Sequence, residues 1–316
     1  MYLVTGGAGF IGSHLVRGLN DRGDTDILVV DDLSNGSKFR NLSDCLITDY
    51  LDKEELFLAL AEGSLSLRPK AIFHQGACTD TMEQDGQYMM QNNFTFSKLL
   101  LDYALSDKIP FVYASSGAVY GASQSSEING DNERPLNVYG YSKLVFDQYV
   151  RPKLKSAEST VVGLRYFNVY GPRETEKGKM ASMVYQLYRQ ISGAGVARLF
   201  EGTDGYADGE QRRDFVFVED LVNVNLSFAD GDIRKGIVNI GTGESRSFND
   251  AARIIIKKLG KGEIEYIPFD QRLRGKYQSF TEADLKPLRD IGYSQSFTSL
   301  EDGIARSVSQ WQTCSD

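Results

Sequence analysis

Tyr139 and Lys143 stand four residues apart in Tyr139-Gly140-Tyr141-Ser142-Lys143. On a helix that spacing puts both side chains on one face. A lysine ammonium beside a phenol stabilises the phenolate and lowers its pKa toward a working range. Tyr139 can then take a proton from a substrate alcohol while hydride leaves the alcohol carbon. Tyr141 does not share the register, because its partner four residues on is Val145. Ser116 closes the run Ala114-Ser115-Ser116 and can donate a hydrogen bond to the reacting oxygen. Its plainer reading is a cap at a strand end.

A hydride needs an acceptor, and the N-terminus offers a place for one. Gly6, Gly9 and Gly12 form G-x-x-G-x-x-G between a strand-like run and a helix-like one. Such glycines permit a tight turn and let the backbone approach a pyrophosphate at a helix N-terminus. Asp31 follows Gly12 by 19 residues, at the end of the next apolar run. That is where an acid meets an adenosine ribose in a dinucleotide fold. An acid there favours NAD, because it repels a 2′-phosphate. Lys38 and Lys53 lie downstream and could neutralise that phosphate, so the residues alone leave NAD and NADP open.

Stepping outward along the chain, short apolar runs alternate with longer amphipathic segments. Strands are expected at 2–5, 27–31, 45–48, 71–74, 111–114 and 161–165, and helices at 13–20, 53–61 and 94–106. That rhythm builds βαβ units and an α/β Rossmann-type doubly wound parallel sheet. A later strand is expected at 236–240. Glycines and charges crowd 201–213, which reads as a long surface loop. The expected organisation is a dinucleotide-binding domain over 1–170, with a segment returning at about 214–242. A smaller mixed α/β substrate lobe takes 171–213 and 243–316.

The chain has 316 residues, 41% of them hydrophobic, and a net charge of −8. That length suits two packed lobes. The acidic balance argues against a nucleic-acid or anionic-membrane partner. The three cysteines, Cys45, Cys78 and Cys314, form no C-x-x-C pair, and the two histidines, His14 and His74, lie far apart. No metal site is expected from such a set. Cys78 reads as a small buried residue, and His74 as a backbone-orienting one. The first strand begins at Tyr2 with no charged segment before it, and no run reaches membrane-spanning length. A cytoplasmic protein is expected.

Further segments carry a resemblance. Ser116-Gly117-Ala118-Val119-Tyr120-Gly121, the run Arg165-Tyr166-Phe167-Asn168-Val169-Tyr170-Gly171-Pro172-Arg173, and Arg213-Asp214-Phe215-Val216 resemble extended short-chain dehydrogenases that modify nucleotide sugars. Within them the chain is similar to the ADP-glyceromanno-heptose 6-epimerase family. The matching stretches include Tyr88-Met89-Met90-Gln91-Asn92-Asn93, Pro135-Leu136-Asn137-Val138-Tyr139, Lys177-Gly178-Lys179-Met180-Ala181-Ser182, Leu199-Phe200-Glu201-Gly202 and Glu263-Ile264-Glu265-Tyr266-Ile267-Pro268-Phe269.

The resemblance implies interconversion of ADP-D-glycero- and ADP-L-glycero-β-D-manno-heptose at C6, by transient oxidation, for the lipopolysaccharide inner core. It implies bound NADP and a homo-oligomer, a pentamer. It makes Tyr139 and Lys177 the proton-transfer pair, with Lys143 assisting and Ser116 beside them. It assigns cofactor contacts to Phe10, Ile11, Asp31, Asp32, Lys38, Lys53, Gln75, Gly76, Ala77, Cys78, Thr79, Asn92, Lys143, Val169 and Lys177. Substrate contacts fall to Asn168, Lys179, Gln186, Phe200, Glu201, Gly202, Thr203, Arg213 and Tyr277. Without the resemblance, Lys177 sits in a charged run that reads as a solvated face. Arg213 reads as a diphosphate clamp on its own chemistry, since a guanidinium pairs phosphate bidentately.

This chain departs from the family pattern at Asp32 and in the loop from Thr203 to Arg212, and its substrate contacts at Lys179 and Gln186 are variable in type. Asp32 stands where the family often has asparagine. The loop from Thr203 to Arg212 is longer than usual, which keeps Arg212 as an alternative to Arg213. Three other functions compete: a UDP-hexose 4-epimerase, a 4,6-dehydratase and a non-catalytic nicotinamide-sensing module. A dehydratase wants an acidic pair after the strand-end hydroxyl, where this chain has Gly117-Ala118. A sensor has no need of Tyr139, Lys143 and Ser116 together.

Overall fold

The first strand is apolar and buried along its whole length, which puts it inside a sheet covered on both faces. The computed structural model describes residues 1–273, 275 and 277–313; Cys314 lies outside the described residues. In chain order the strands are β1 (Tyr2–Thr5), β2 (Ile27–Asp31), β3 (Asp49–Asp52), β4 (Ile72–His74), β5 (Phe111–Ser116), β6 (Val161–Tyr166), β7 (Asn168–Tyr170), β8 (Val196–Phe200), β9 (Arg212–Phe217), β10 (Lys235–Ile240), β11 (Ser245–Ser247) and β12 (Glu263–Ile267). Seven of them form a parallel sheet in the order β10-β6-β5-β4-β1-β2-β3. The order reverses between β1 and β4. In open sheets of this kind the crevice at that reversal receives the ligand.

The helices are α1 (Phe10–Asp21), α2 (Lys53–Glu62), α3 (Gly86–Met90), α4 (Phe96–Ser106), α5 (Val138–Val150), α6 (Met183–Ala194), α7 (Val218–Ser227), α8 (Phe248–Leu259), α9 (Lys286–Asp290) and α10 (Leu300–Thr313). Val16 and Leu19 of α1 meet Leu221 and Val224 of α7 on one face of the sheet. Leu56, Leu100, Leu101, Phe146 and Val150 cover the other. A separate core joins Val184, Leu187 and Ile191 to Ile255, Ile304 and Val308. Around it lie two small sheets, β11-β9-β7 and β12-β8. Among the described residues no helix is long and apolar enough to cross a membrane.

The structure revises some expected boundaries. The third strand is Asp49–Asp52, not 45–48. Its ladder begins with Leu28 opposite Asp49, while Cys45 and Ile47 turn inward onto the core outside any strand. Apolar content there marks packing, not sheet pairing. The helix expected at 94–106 starts at Phe96 and follows a π-turn, Gln91–Thr95, which carries Asn92 and Asn93. β5 runs on to Ser116, two residues past the expected end.

Candidate active site

The glycine turn is built from contacts that a side chain would prevent. Gly6 has φ of +66°, and a Cβ there would lie 2.6 Å from the Gly76 nitrogen. A Cβ on Gly12 would lie 2.1 Å from the Gly6 carbonyl oxygen. α1 therefore starts tight against β1, with no side-chain cap at Gly9. Its first N–H groups are left for an anion. Gly6, Gly9, Phe10, Ile11 and Gly12 line a cavity of about 1010 Å³.

Asp31 ties this turn down. Its Oδ2 accepts from the Ala8 N–H at 2.8 Å, and its Oδ1 accepts from the Asp32 N–H at 2.7 Å and from the Lys38 ammonium. Lys53 lies 3.3 Å from the Asp32 carboxylate. Hydrogen bonds from Ser34, assisted by Lys53, hold that carboxyl down at about 2. The two acids and two lysines thus form adjacent pairs on the cavity wall. Gln75, Gly76, Ala77, Cys78, Thr79 and Asn92 line the same wall.

α5 presents the tyrosine and lysine. Its N-cap, Asn137, accepts from the Gly140 N–H at 2.8 Å. Tyr139 and Lys143 both line the cavity, and so does Ser116. Tyr141 points away and is exposed. The Lys143 ammonium donates to the Ala114 carbonyl at 2.8 Å. Burial pushes its pKa down to about 8, against the pull of Asp147. Burial pushes the Tyr139 phenol up, and a hydrogen bond with Ser116 opposes the shift. Ser116 Oγ also accepts from the Ala118 N–H at 3.1 Å, so its capping contact coexists with the tyrosine contact.

Behind these groups lie polar contacts with no local sequence signal. Asn93 donates to Ser142 Oγ at 3.0 Å, and Ser142 donates to the Tyr139 carbonyl at 2.7 Å. His74 bridges Thr5 and Ser97 through its two ring nitrogens, each at 2.7 Å. Burial, with Lys143 nearby, pushes its pKa down to about 3. Arg165 is fully buried and pairs with Asp147 at 2.8 Å and Glu133 at 2.7 Å. It fastens β6 to the helix that carries Tyr139.

Lys177 reaches the same cavity lining from a separate segment. It sits in a 3₁₀ turn, Thr175–Met180, opened by Gly178 at φ +52°. Its ammonium lies 5.0 Å from the centre of the Phe10 ring. Burial pushes its pKa down, and Glu174 partly restores it. Glu174 is itself buried and accepts from Gly171 N–H at 3.0 Å and Ser182 Oγ at 2.8 Å. The charged run is therefore not a solvated face at Lys177.

Arg213 is 7% exposed and lies between the rings of Phe248 (5.3 Å) and Tyr277 (4.9 Å). Burial pushes its pKa down. Arg212 instead bonds Ser245 Oγ at 3.1 Å and the Ser245 carbonyl, so Arg213 is the one on the cavity lining. Asn168, Val169, Gln186, Phe200 and Tyr277 join it there. Lys179, Glu201, Gly202 and Thr203 do not. The Gly202 N–H is bound to Asp208 and the Thr203 carbonyl to Tyr206, so the loop folds on itself; Lys179 is exposed. Gln190, Arg198, Gln211 and Phe248 also line the cavity and were not expected. Gln190 could have been found on the α6 face of Gln186, one helical turn away.

The family model described as NAD dependent epimerase/dehydratase matches residues 2–241. The chain is 55% identical to an ADP-L-glycero-D-manno-heptose-6-epimerase of Alkalilimnicola ehrlichii over 96% of this chain and 95% of that one. Its structure is similar to that of the Helicobacter pylori ADP-L-glycero-D-manno-heptose-6-epimerase, with a TM-score of 0.84, 34% identity and coverage of 98% and 96% of the two chains. It is also similar to a Thermus thermophilus UDP-glucose 4-epimerase in complex with NAD, with a TM-score of 0.78, 28% identity and 98% of each chain covered.

Proposed function

The chain belongs to the NAD dependent epimerase/dehydratase family, and from its likeness to ADP-L-glycero-D-manno-heptose-6-epimerases we infer that it inverts C6 of an ADP-bound manno-heptose. It interconverts the D-glycero and L-glycero forms of ADP-β-D-manno-heptose. When bound, the nicotinamide dinucleotide supplies the acceptor and donor of hydride at C6. The glycine cradle fits its pyrophosphate, because Gly6 and Gly12 leave no room for a Cβ where the backbone must come close.

The observation that carries the mechanism is that Tyr139 and Lys177, from separate segments, line one cavity. Inversion requires the sugar carbonyl to offer both faces in turn, which moves its oxygen. A proton relay must lie within about 3 Å of that oxygen. One phenol cannot easily serve both positions. Tyr139 holds the proton at one, with Ser116 hydrogen-bonded to it and Lys143 lining the same cavity. Lys177 holds it at the other. Burial moves Lys177 toward the neutral form that a base requires. Arg213 clamps the diphosphate of the substrate between Phe248 and Tyr277, and Asn168, Gln186 and Phe200 contact the rest.

The test is a pair of single-turnover experiments on the holoenzyme. Tyr139→Phe and Lys177→Met should each abolish net epimerisation. Each should still reduce its bound nicotinamide with one epimer, and the two should prefer opposite epimers. A Lys177→Met variant that epimerises at the wild-type rate sinks the two-base scheme.

The dinucleotide is NADP in this reading. Lys38 and Lys53 support it, as the cations that offset Asp31 and Asp32. Replacing both lysines with alanine should weaken NADP more than NAD in a binding titration. Equal losses would overturn the phosphate assignment. The same reading takes 1–170 with 214–242 as the dinucleotide domain and 171–213 with 243–316 as the substrate lobe. It makes the protein a cytoplasmic homo-oligomer, a pentamer, that supplies lipopolysaccharide inner-core synthesis.

A further inference from the structure

Two segments far apart in sequence are fastened together beside the glycine turn. One is the stretch 36–45, which carries Lys38. The other is 171–182, which carries Lys177. The Glu176 carboxylate accepts from the Ser37 hydroxyl and from Arg40 at 3.2 Å. Its side chain is only 16% exposed. Three residues earlier, Arg173 donates to both Asp44 carboxylate oxygens, at 2.9 and 2.7 Å, and to the Asn41 carbonyl. Arg173 adopts φ of +65°, which a residue with a side chain rarely holds unless its contacts demand it.

Each end of this clasp continues into the active site. On the first segment, Lys38 binds Asp31 and the Asp32 carbonyl, and Asn41 donates to the Ala8 carbonyl of the glycine turn at 3.0 Å. On the second, Glu176 adjoins Lys177, whose ammonium overlies the Phe10 ring. A bidentate arginine–carboxylate pair and a charge-assisted hydroxyl bond are the strong class of such contacts. The glycine turn, the Lys38 loop and the Lys177 turn are therefore one connected set.

We propose that Glu176 and Arg173 are positioning residues that lock the Lys177 turn onto the Lys38 loop, so that the dinucleotide held at Lys38 is retained and Lys177 is kept in place. The inference rests on the reading of Lys177 as the second base. The proposed chemistry uses one dinucleotide for both halves of each turnover, and release between the halves would strand the sugar as a ketone. Coupling between two segments acts in both directions, so a bound cofactor also orders the base.

The experiment uses the holoenzyme with Glu176→Ala, Glu176→Gln, Ser37→Ala and the Glu176→Ala/Ser37→Ala double variant. Exchange of bound dinucleotide against excess isotopically labelled NADP is measured, together with single-turnover reduction by each epimer and the melting temperature. Glu176→Ala should speed exchange about tenfold, the effect expected from one lost charged hydrogen bond. It should slow only the epimer that gives its proton to Lys177, with a melting temperature lowered by no more than about a few degrees. Glu176→Gln, which keeps an acceptor for Ser37, should recover part of both effects. Adding Ser37→Ala to Glu176→Ala should add nothing. Exchange at the wild-type rate, or equal slowing of both epimers, overturns the clasp. Lys177→Met is run in parallel. If it slows both epimers alike, the two-base reading falls; if it is selective and Glu176→Ala is not, the clasp alone falls.

Discussion

Arg213 is a buried cation whose neighbours are two aromatic faces. That setting favours an arriving anion, because a guanidinium that bonds the Arg212 carbonyl and the Tyr277 hydroxyl has five N–H donors to share. Arg213→Lys keeps the charge and loses the planar fork. It should raise KM for the nucleotide sugar about tenfold while kcat changes little, since the diphosphate is bound alike in ground and transition states. Steady-state kinetics decides it; a fall in kcat at constant KM would place Arg213 in the chemistry instead. A second residue-scale prediction concerns His14 and His74. Burial holds them at about 4 and about 3, below the ordinary 6.5. The unfolded chain therefore takes up protons that the folded one refuses. Their stability contribution is full above pH 6.5 and is lost as pH falls toward those folded values. The slope of unfolding free energy should approach about 1.4 kcal/mol per pH unit for each histidine. Urea titrations at stepped pH should show it, and His74→Gln should remove one histidine's share.

At the scale of elements, β9 is held by one carboxylate. Asp214 Oδ1 accepts from the Thr242 N–H at 2.7 Å and its hydroxyl at 2.8 Å, and Oδ2 accepts from Gly243 N–H at 2.9 Å and Ala283 N–H at 3.0 Å. Asp214→Asn turns one acceptor into a donor facing donors. It should cost about 1–3 kcal/mol, read from denaturant midpoints, and should loosen Arg213 next door. An unchanged midpoint would show that these bonds are replaceable. None of this was legible beforehand, because Asp214, Thr242 and Ala283 meet only in the fold. What was legible is local. The glycine turn and the Tyr139–Lys143 spacing are each written within a few residues, and the turn opens a helix and the pair shares one, as their spacing requires. The third strand was misplaced because Cys45 and Ile47 are apolar for packing reasons. The π-turn at Gln91–Thr95 has the composition of an ordinary helix. Lys177 emerged only through family likeness, since a lysine in a charged run says nothing of burial. The Arg165–Asp147–Glu133 pairs stayed invisible because burial of three charges is a property of the assembled core.

For the whole molecule, the cavity is bounded by both halves of the chain, from Thr5 to Gln278. A dinucleotide that bridges them should stabilise the protein as one cooperative unit. At a hundredfold excess over Kd the gain should be about 2.7 kcal/mol, seen as one shifted melting transition; two separate transitions, one unmoved, would mean that the lobes melt independently. The buried histidines carry a further consequence. The chain has only these two among 316 residues, and neither titrates in its usual range. No imidazole of the protein therefore buffers between pH 6 and 7.5. Modest acidification thereby adds no imidazolium charge to the molecule. An inflection in activity just above that interval then reports on the buried lysines, Lys143 at about 8 and Lys177 lowered by burial, with no imidazole to obscure it.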